Sequence, residues 1–258
     1  MKEVPKIAIV GTGNVAYHLT HFFSEKGISP SVYGRNKHAL SSIGTKLNVL
    51  TIQELSALTP DTLVLLCVSD QAIPELIDRM PNGVRIAYTS GSTDLQSLTK
   101  EKVLGVFYPL QTFSKGVKLA AKEIPFFIES NDAEFEKELL TLASIISNIV
   151  HKASSMDRYH LHLAAVMSNN FVNHLFHLSE KYLQEHQLSF DYLKPLIRET
   201  IRKAGFISPS LIQTGPAIRN DHEIIAKHLA SLNGLEKEVY AVLTRSIQNT
   251  KEKNQDEL

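Results

Sequence analysis

The stretch Lys6-Ile7-Ala8-Ile9-Val10-Gly11-Thr12-Gly13-Asn14-Val15-Ala16 decides the fold. Its first half is a compact apolar run that reads as a short buried strand. Behind it come Gly11 and Gly13, then a helical pattern that continues to about Ser24. Gly11 allows a tight exit from the strand, Gly13 lets backbone approach a diphosphate, and the small Ala16 permits close packing of helix on strand. The helix opening there offers free N–H donors and the positive end of its dipole to an anion. Glycine turns also occur in α/β proteins that bind no nucleotide, so the context decides. A second strand, Ser31-Val32-Tyr33, follows about twenty residues later and ends at Gly34-Arg35-Asn36-Lys37, where dinucleotide-binding domains read the ribose. The expectation is a dinucleotide site with Gly11, Thr12, Gly13, Asn14 and Val15 around the phosphates.

A site that prefers NAD carries Asp or Glu at the end of that second strand, but this chain carries Arg35, Asn36 and Lys37. A carboxylate repels a 2′-phosphate, whereas a guanidinium binds it through paired, charge-assisted bonds. NADP is therefore expected over NAD. The alternative reading of Arg35 and Lys37 is solvated loop charge.

Further strand candidates are 48–50, 62–68, 84–88, 103–107, 125–128 and 148–150, several of them apolar throughout and separated by helical segments. That pattern indicates a doubly wound, mostly parallel α/β sheet with helices on both faces. After about Ser154 the pattern becomes all-helical. Residues 156–187 read as one long helix, apolar on much of its circumference, and a second runs from about Phe190 to Ala204 with Pro195 in its first turn. Asp221 reads as the N-cap of a third helix that stops at Asn233-Gly234, a fourth covers about 235–250, and the polar tail 251–258 is expected to fray. The expected domains are 1–153 for the dinucleotide and 154–258 for substrate and dimerisation.

In such a sheet the ligand lies at the carboxyl ends of the strands. Val68, Ser69 and Asp70 fall there, as do Ser90 and Gly91, and all five are candidates for cofactor contact. Gln111 and Thr112, after the next strand on the same edge, are candidates for substrate contact. Each of these segments also reads as ordinary turn chemistry. Cys67 reads as a buried small hydrophobe, since no activating base can be assigned to it.

Composition narrows the function. Lys plus Arg number 27 and Asp plus Glu 27, so no net charge draws the chain to nucleic acid. No apolar run reaches the ~20 residues of a membrane span. The single Cys excludes a disulfide framework and paired-Cys zinc sites. His174 and His177 lie one turn apart and could coordinate a metal, as could His160 with His162 on an extended backbone, but no carboxylate triad is evident nearby, so no metal is expected. A cytoplasmic protein acting on a small molecule fits best. Neutral charge together with the apolar long helix points to a homodimer buried through the helical domain.

The glycine turn, Val68-Ser-Asp70, Thr89-Ser-Gly91, Tyr108-Pro-Leu-Gln-Thr-Phe113, Leu163-Ala-Ala-Val-Met-Ser-Asn-Asn170 and Gly215-Pro-Ala-Ile-Arg-Asn-Asp221 together resemble one group of bacterial proteins. That group joins a Rossmann-like domain to a helical C-terminal domain of unknown function and is described as NADP oxidoreductases of the deazaflavin-dependent kind. More distantly the chain is similar to the superfamily of 6-phosphogluconate dehydrogenase, ketopantoate reductase and pyrroline-5-carboxylate reductase. The resemblance implies a Rossmann-type domain followed by a 6-phosphogluconate dehydrogenase C-terminal-like helical domain, NADP binding, and a dimer through the helical domains. It implies no particular substrate. His162 and Asn170 match the His and Asn of the family's Y-H-x-A-A-x-x-x-S-N pattern, from which this chain departs at Leu161 and Asn169. Lys152 has no secure match to the superfamily's proton-donating Lys, and Tyr88 and Tyr108 stand where the family often has His.

On a helix His162 and Asn170 lie along one face with Val166 and Asn173. His162 could move a proton near neutral pH and Asn170 could hold the same substrate group, with Asn173 beside them. His162 also reads as a core histidine. Arg219 and Asp221 could hold an anionic substrate group, or Asp221 could simply cap its helix while Arg219 pairs with it. The function expected is hydride transfer between NADP(H) and a small carbonyl, imine or deazaflavin in a cleft between the domains. The competing reading is a dimeric NADP-binding sensor or scaffold without turnover.

Overall fold

A computed structural model describes residues 5–98 and 101–256, the last six by backbone alone. Its strands are β1 (Lys6–Val10), β2 (Ser31–Tyr33), β3 (Thr51–Ile52), β4 (Thr62–Leu66), β5 (Arg85–Tyr88), β6 (Leu104–Pro109), β7 (Phe126–Ser130) and β8 (Val150–Lys152). They form one sheet in the order β3-β2-β1-β4-β5-β6-β7-β8. Every neighbouring pair is parallel except β6 and β7. From β1 the chain builds outward through β2 and β3, then returns to add β4 on β1's other side. The direction of winding therefore reverses between β1 and β4, which defines the Rossmann-type switch point and opens a crevice at their carboxyl ends.

The strands are apolar throughout because both faces are covered. Helices α1 (Asn14–Glu25), α2 (Lys37–Leu47), α3 (Ile73–Arg79) and α4 (Ala133–Ile146) lie between them in the chain. Side chains alternate along each strand. Ile7, Ile9, Leu63 and Leu65 join Leu19, Phe22 and Phe23 of α1 and Phe135, Leu139 and Leu142 of α4. Ala8, Val10, Val64 and Leu66 join Ile73, Leu76 and Ile77 of α3.

The turn after β1 is fixed by backbone contact on both sides. Gly11 N–H donates to the Tyr33 carbonyl at 2.8 Å, and Cys67 N–H donates to the Val10 carbonyl at 2.8 Å. Gly11 has φ +135°, and a Cβ there would stand 2.1 Å from the Cys67 carbonyl oxygen. Only glycine meets both demands.

Several boundaries differ from the sequence reading. The strand expected at 48–50 lies at Thr51–Ile52, because Asn48 adopts φ 52° and ends α2 in the left-handed conformation. The strand expected at 148–150 begins only at Val150. The single helix expected over 156–187 is divided into α5 (Ser155–Ala165), a π-helical turn (Val166–Phe171) and α6 (Val172–Glu185). Within the turn the Ser168 hydroxyl donates to the Ala164 carbonyl at 3.0 Å, a bond that competes with the regular backbone ladder. Then follow α7 (Lys194–Ala204), with Pro195 in its first turn, α8 (His222–Ala230) and α9 (Gly234–Asp256). The tail expected to fray from 251 continues α9 through Asp256, and residues 257–258 lie outside the described residues.

Contacts divide the chain into two compact units, one through Asn170 and one from Phe171. The all-helical pattern starts earlier, and α5 remains with the sheet because Arg158 anchors it there, as detailed below. In the second unit only Ala217 is buried among the described residues. Among the described residues no helix is long and apolar enough to cross a membrane.

Candidate active site

A cavity of about 840 Å³ lies at the switch point. One end of it is walled by the run Gly11–Val15. Gly13 is the N-cap of α1, yet no side chain caps this helix and its first turn holds no acidic residue. By contrast, Asn36, Asp132, Ser154 and Asp221 cap α2, α4, α5 and α8 with their side chains. The first N–H groups of α1 are thus left as donors for an anion. A Cβ at Gly13 would meet no protein atom within 4 Å, so the backbone there stands open. The turn is braced from the loop after β6. Asn14 Nδ2 donates to the Phe113 carbonyl at 2.8 Å, His18 Nε2 lies 3.0 Å from the Ser114 carbonyl, and Lys115 Nζ donates to the Thr12 carbonyl at 2.7 Å.

Beside that turn, at the end of β2, the cavity is lined by Tyr33, Gly34, Arg35 and Asn36. Arg35 is exposed and has no carboxylate partner among the described residues. Asn36 Oδ1 accepts from Ala39 N–H at 3.0 Å and starts α2. Val68 and Ser69 line the same cavity. So does Arg79, which pairs with Glu75 at 3.3 Å. These residues fit a dinucleotide with a 2′-phosphate: unpaired donors for the diphosphate and an unpaired guanidinium for the extra charge.

The other end of the cavity is lined by Thr89, Gln111, Thr112, Phe113, His162, Asn169 and Asn170. Most of these residues also wall a second cavity of about 350 Å³, which reaches Asp70, Ser90, Gly91, Ser92 and Tyr108. His162 Nδ1 lies 3.2 Å from the Tyr108 hydroxyl. Burial pushes the Tyr108 phenol above its ordinary range; the Arg158 charge opposes that rise and the Asp70 charge adds to it. Tyr108 therefore keeps its proton at working pH. Burial also pushes the Cys67 thiol up to about 12, which makes it inert as a nucleophile.

The helix that carries His162 is held by Arg158, one turn earlier. Arg158 is fully buried. It is ion-paired with Glu129 of β7, and its Nη2 donates to the Thr93 carbonyl at 2.9 Å. Ser155 donates to Glu129 at 2.9 Å and accepts from Leu95 N–H at 3.0 Å, while the Tyr88 hydroxyl also reaches the Thr93 carbonyl at 3.1 Å. β7 and the segment after β5 thus converge on α5.

Not every candidate residue lies in the first cavity. Lys37 lines a separate hollow along α2 with Leu40, Ser41 and Gly44. Asp70, Ser90 and Gly91, expected to touch cofactor, line the second cavity instead. Asn173, Arg219 and Asp221 belong to the second unit. Asp221 Oδ1 accepts from Ile224 N–H at 3.3 Å as a helix cap, and Arg219 is exposed and forms no ion pair with it. The wider π turn changes which residues share His162's face, and both Asn169 and Asn170 reach the cavities with it. Sequence reasoning did not single out Arg158, Arg79 or Asn169 as site residues, and Tyr108 entered only within a loop motif and as a departure from the family pattern. Among the described residues no group of three or more metal-ligating side chains is gathered.

A doubly wound sheet whose switch point presents an open helix N-terminus and an unpaired arginine defines a dinucleotide-binding protein. Residues 6–87 match the model of the family described as NADP oxidoreductase, coenzyme F420-dependent, and residues 124–247 match a domain of unknown function (DUF2520). A crystal structure from Bacteroides fragilis, named a "putative NADP oxidoreductase", is 36% identical, with 95% of this chain and 98% of that one covered and a TM-score of 0.89. The chain belongs to this family of NADP oxidoreductases, in which the nucleotide domain is joined to the DUF2520 helical domain. The fold is also similar to a protein of Thermotoga maritima, 18% identical over 96% of this chain and 99% of that one, TM-score 0.68. A reductive aminase from Aspergillus terreus in complex with NADPH and ethyl-5-oxohexanoate is 14% identical over 99% and 95%, TM-score 0.69. A comparison with curated proteins finds no match.

Removing Arg158 strands Glu129 without its cation. Arg158→Ala is expected to lower the unfolding free energy by roughly 3–5 kcal/mol in urea denaturation. A loss below about 1 kcal/mol would put the pair with surface ion pairs and remove its anchoring role.

Proposed function

We propose that the protein reduces a small carbonyl or imine with NADPH, or runs the reverse oxidation, with His162 as proton donor and Asn170 as the residue that holds the substrate. The observation that carries this reading is a single wall, Thr89, Gln111, Thr112, His162, Asn169 and Asn170, shared by the two cavities. One cavity fits the dinucleotide, and the other, at about 350 Å³, fits a small ligand.

When bound, NADPH supplies a hydride from its nicotinamide. The chain's own residues do the rest. The open N–H groups at Gly13–Val15 hold the diphosphate and Arg35 holds the 2′-phosphate. With Nδ1 held by the Tyr108 hydroxyl, Nε2 of His162 is left to hand a proton to a carbonyl oxygen or imine nitrogen as that atom gains electrons, the imidazolium returning to neutral imidazole. Asn169 and Asn170 offer amides to orient the same group. Arg158 fixes the helix and hence the reach of His162.

The same reading takes the protein as a homodimer through its helical part. The second unit buries only Ala217 among its described residues, while Leu196, Ile201, Phe206 and Leu211 are exposed. Apolar surface on that scale is ordinarily covered by a partner. The unpaired, buried Cys67 supports a reducing compartment, the cytoplasm.

Three measurements test the reading. Arg35→Ala is expected to weaken NADPH binding at least tenfold in calorimetry with NADH changed less than twofold; equal losses would remove the 2′-phosphate assignment. His162→Ala is expected to cut kcat by about 10²–10⁴ with NADPH affinity unchanged. An unaltered rate would sink the acid role, and binding without turnover on any carbonyl or imine would favour the sensor reading. Sedimentation equilibrium is expected to give twice the 28.8 kDa chain mass, and a monomer at micromolar concentration would exclude the dimer.

A further inference from the structure

The second cavity carries one charge that the proposed reaction does not use. Asp70 is the only carboxylate among the first-unit residues that line it, and no Lys or Arg of that unit lines it. The Asp70 carboxylate accepts a hydrogen bond from the Ser92 hydroxyl and has no ion-pair partner among the described residues. The nearest buried cation in the network, Arg158, is already committed to Glu129. The remaining polar lining consists of hydroxyls and amides, which are neutral, together with His162. A small cavity with an uncompensated carboxylate and no fixed cation favours a positively charged guest and penalises a negative one.

We infer that this cavity selects a cationic nitrogen compound, a protonated imine and its amine product, over carboxylate-bearing and neutral carbonyl substrates. The inference rests on the proposed reductase reading and narrows its substrate class. It also agrees with the chemistry. In reduction of a protonated imine a C–H bond forms at the imine carbon, the C=N π pair stays on nitrogen, and the dinucleotide is oxidised. The amine so formed is at first neutral and then takes a proton from water, so no negative charge develops at any stage. Reduction of a ketone instead builds negative charge on oxygen beside Asp70, which the carboxylate opposes. Asp70 also favours the protonated form of an imine, with His162 as the source of the proton, and so raises the fraction that accepts hydride. Asp70 acts here as a specificity-determining residue.

The test uses the 258-residue chain loaded with NADP⁺ and two probes of similar size, pyrrolidine and cyclopentanecarboxylate. Binding is read by calorimetry, and NADPH oxidation is followed with 1-pyrroline and with cyclopentanone. The inference expects pyrrolidine to bind at least tenfold tighter than cyclopentanecarboxylate and 1-pyrroline to be reduced at least tenfold faster than cyclopentanone. Asp70→Asn is expected to bring the two affinities within threefold of each other, and Asp70→Glu to keep the preference. A preference for the carboxylate, equal affinities in the parent protein, or an unchanged preference in Asp70→Asn would overturn it. Failure of the protein to bind NADP⁺ at all would instead overturn the reductase reading, so the two failures are distinct.

Discussion

The contact between Gly11 and the Cys67 carbonyl sets the geometry on which the rest of the site depends. There is no room between them for even one methyl group. That closeness brings the end of β1 against the end of β4, and it aims the first turn of α1 along the crevice where the winding of the sheet reverses. Capping groups are absent from that turn and present on four other helices of the chain. Free donors in a crevice lined by hydroxyls and amides are an arrangement that protein alone leaves incomplete, and a dinucleotide completes it.

At the other end of the site the controlling interaction is the ion pair of Arg158 with Glu129. A fully buried guanidinium is expensive unless every neighbour is chosen for it. Here the chain surrounds it with a carboxylate, a carbonyl and a hydroxyl, leaving only Nε without a partner. Glu129 comes from β7 and Thr93 from the segment after β5, while Ser155 lies on the helix itself, so one side chain ties the helix bearing His162 to two parts of the sheet edge. An apolar residue in its place would bury as well, but it would not fix the helix's rotation and with it the position of His162.

The nucleotide end was legible in the sequence because its signals are local. Gly11, Gly13, Ala16 and the Arg35 loop lie on contiguous stretches with strict backbone demands, and the apolar strands declared a sheet covered on both faces. The His162 end was not, because its partners are far apart in the chain: Tyr108 and His162 are separated by 54 positions, and Arg158 and Glu129 by 29. Tyr108 read as a departure from a family pattern and drew attention away from itself. The π turn escaped for another reason. It changes the helical period over only six residues, and no composition rule distinguishes it from the α-helix on either side. Asn48 displaced a strand for a similarly local cause, since a left-handed residue moves the onset of the next extended segment without altering the apolar pattern.

The open first turn of α1 and the partnerless Arg35 also bear on how long the protein lasts in a cell. Groups that find their partners only in a ligand make the folded state hold that ligand and the unfolded state reject it. Ligand at a hundred times its dissociation constant adds about 2.7 kcal/mol to the folding equilibrium. Loss of the ligand therefore raises the fraction of chain that is unfolded, the form that proteases cut.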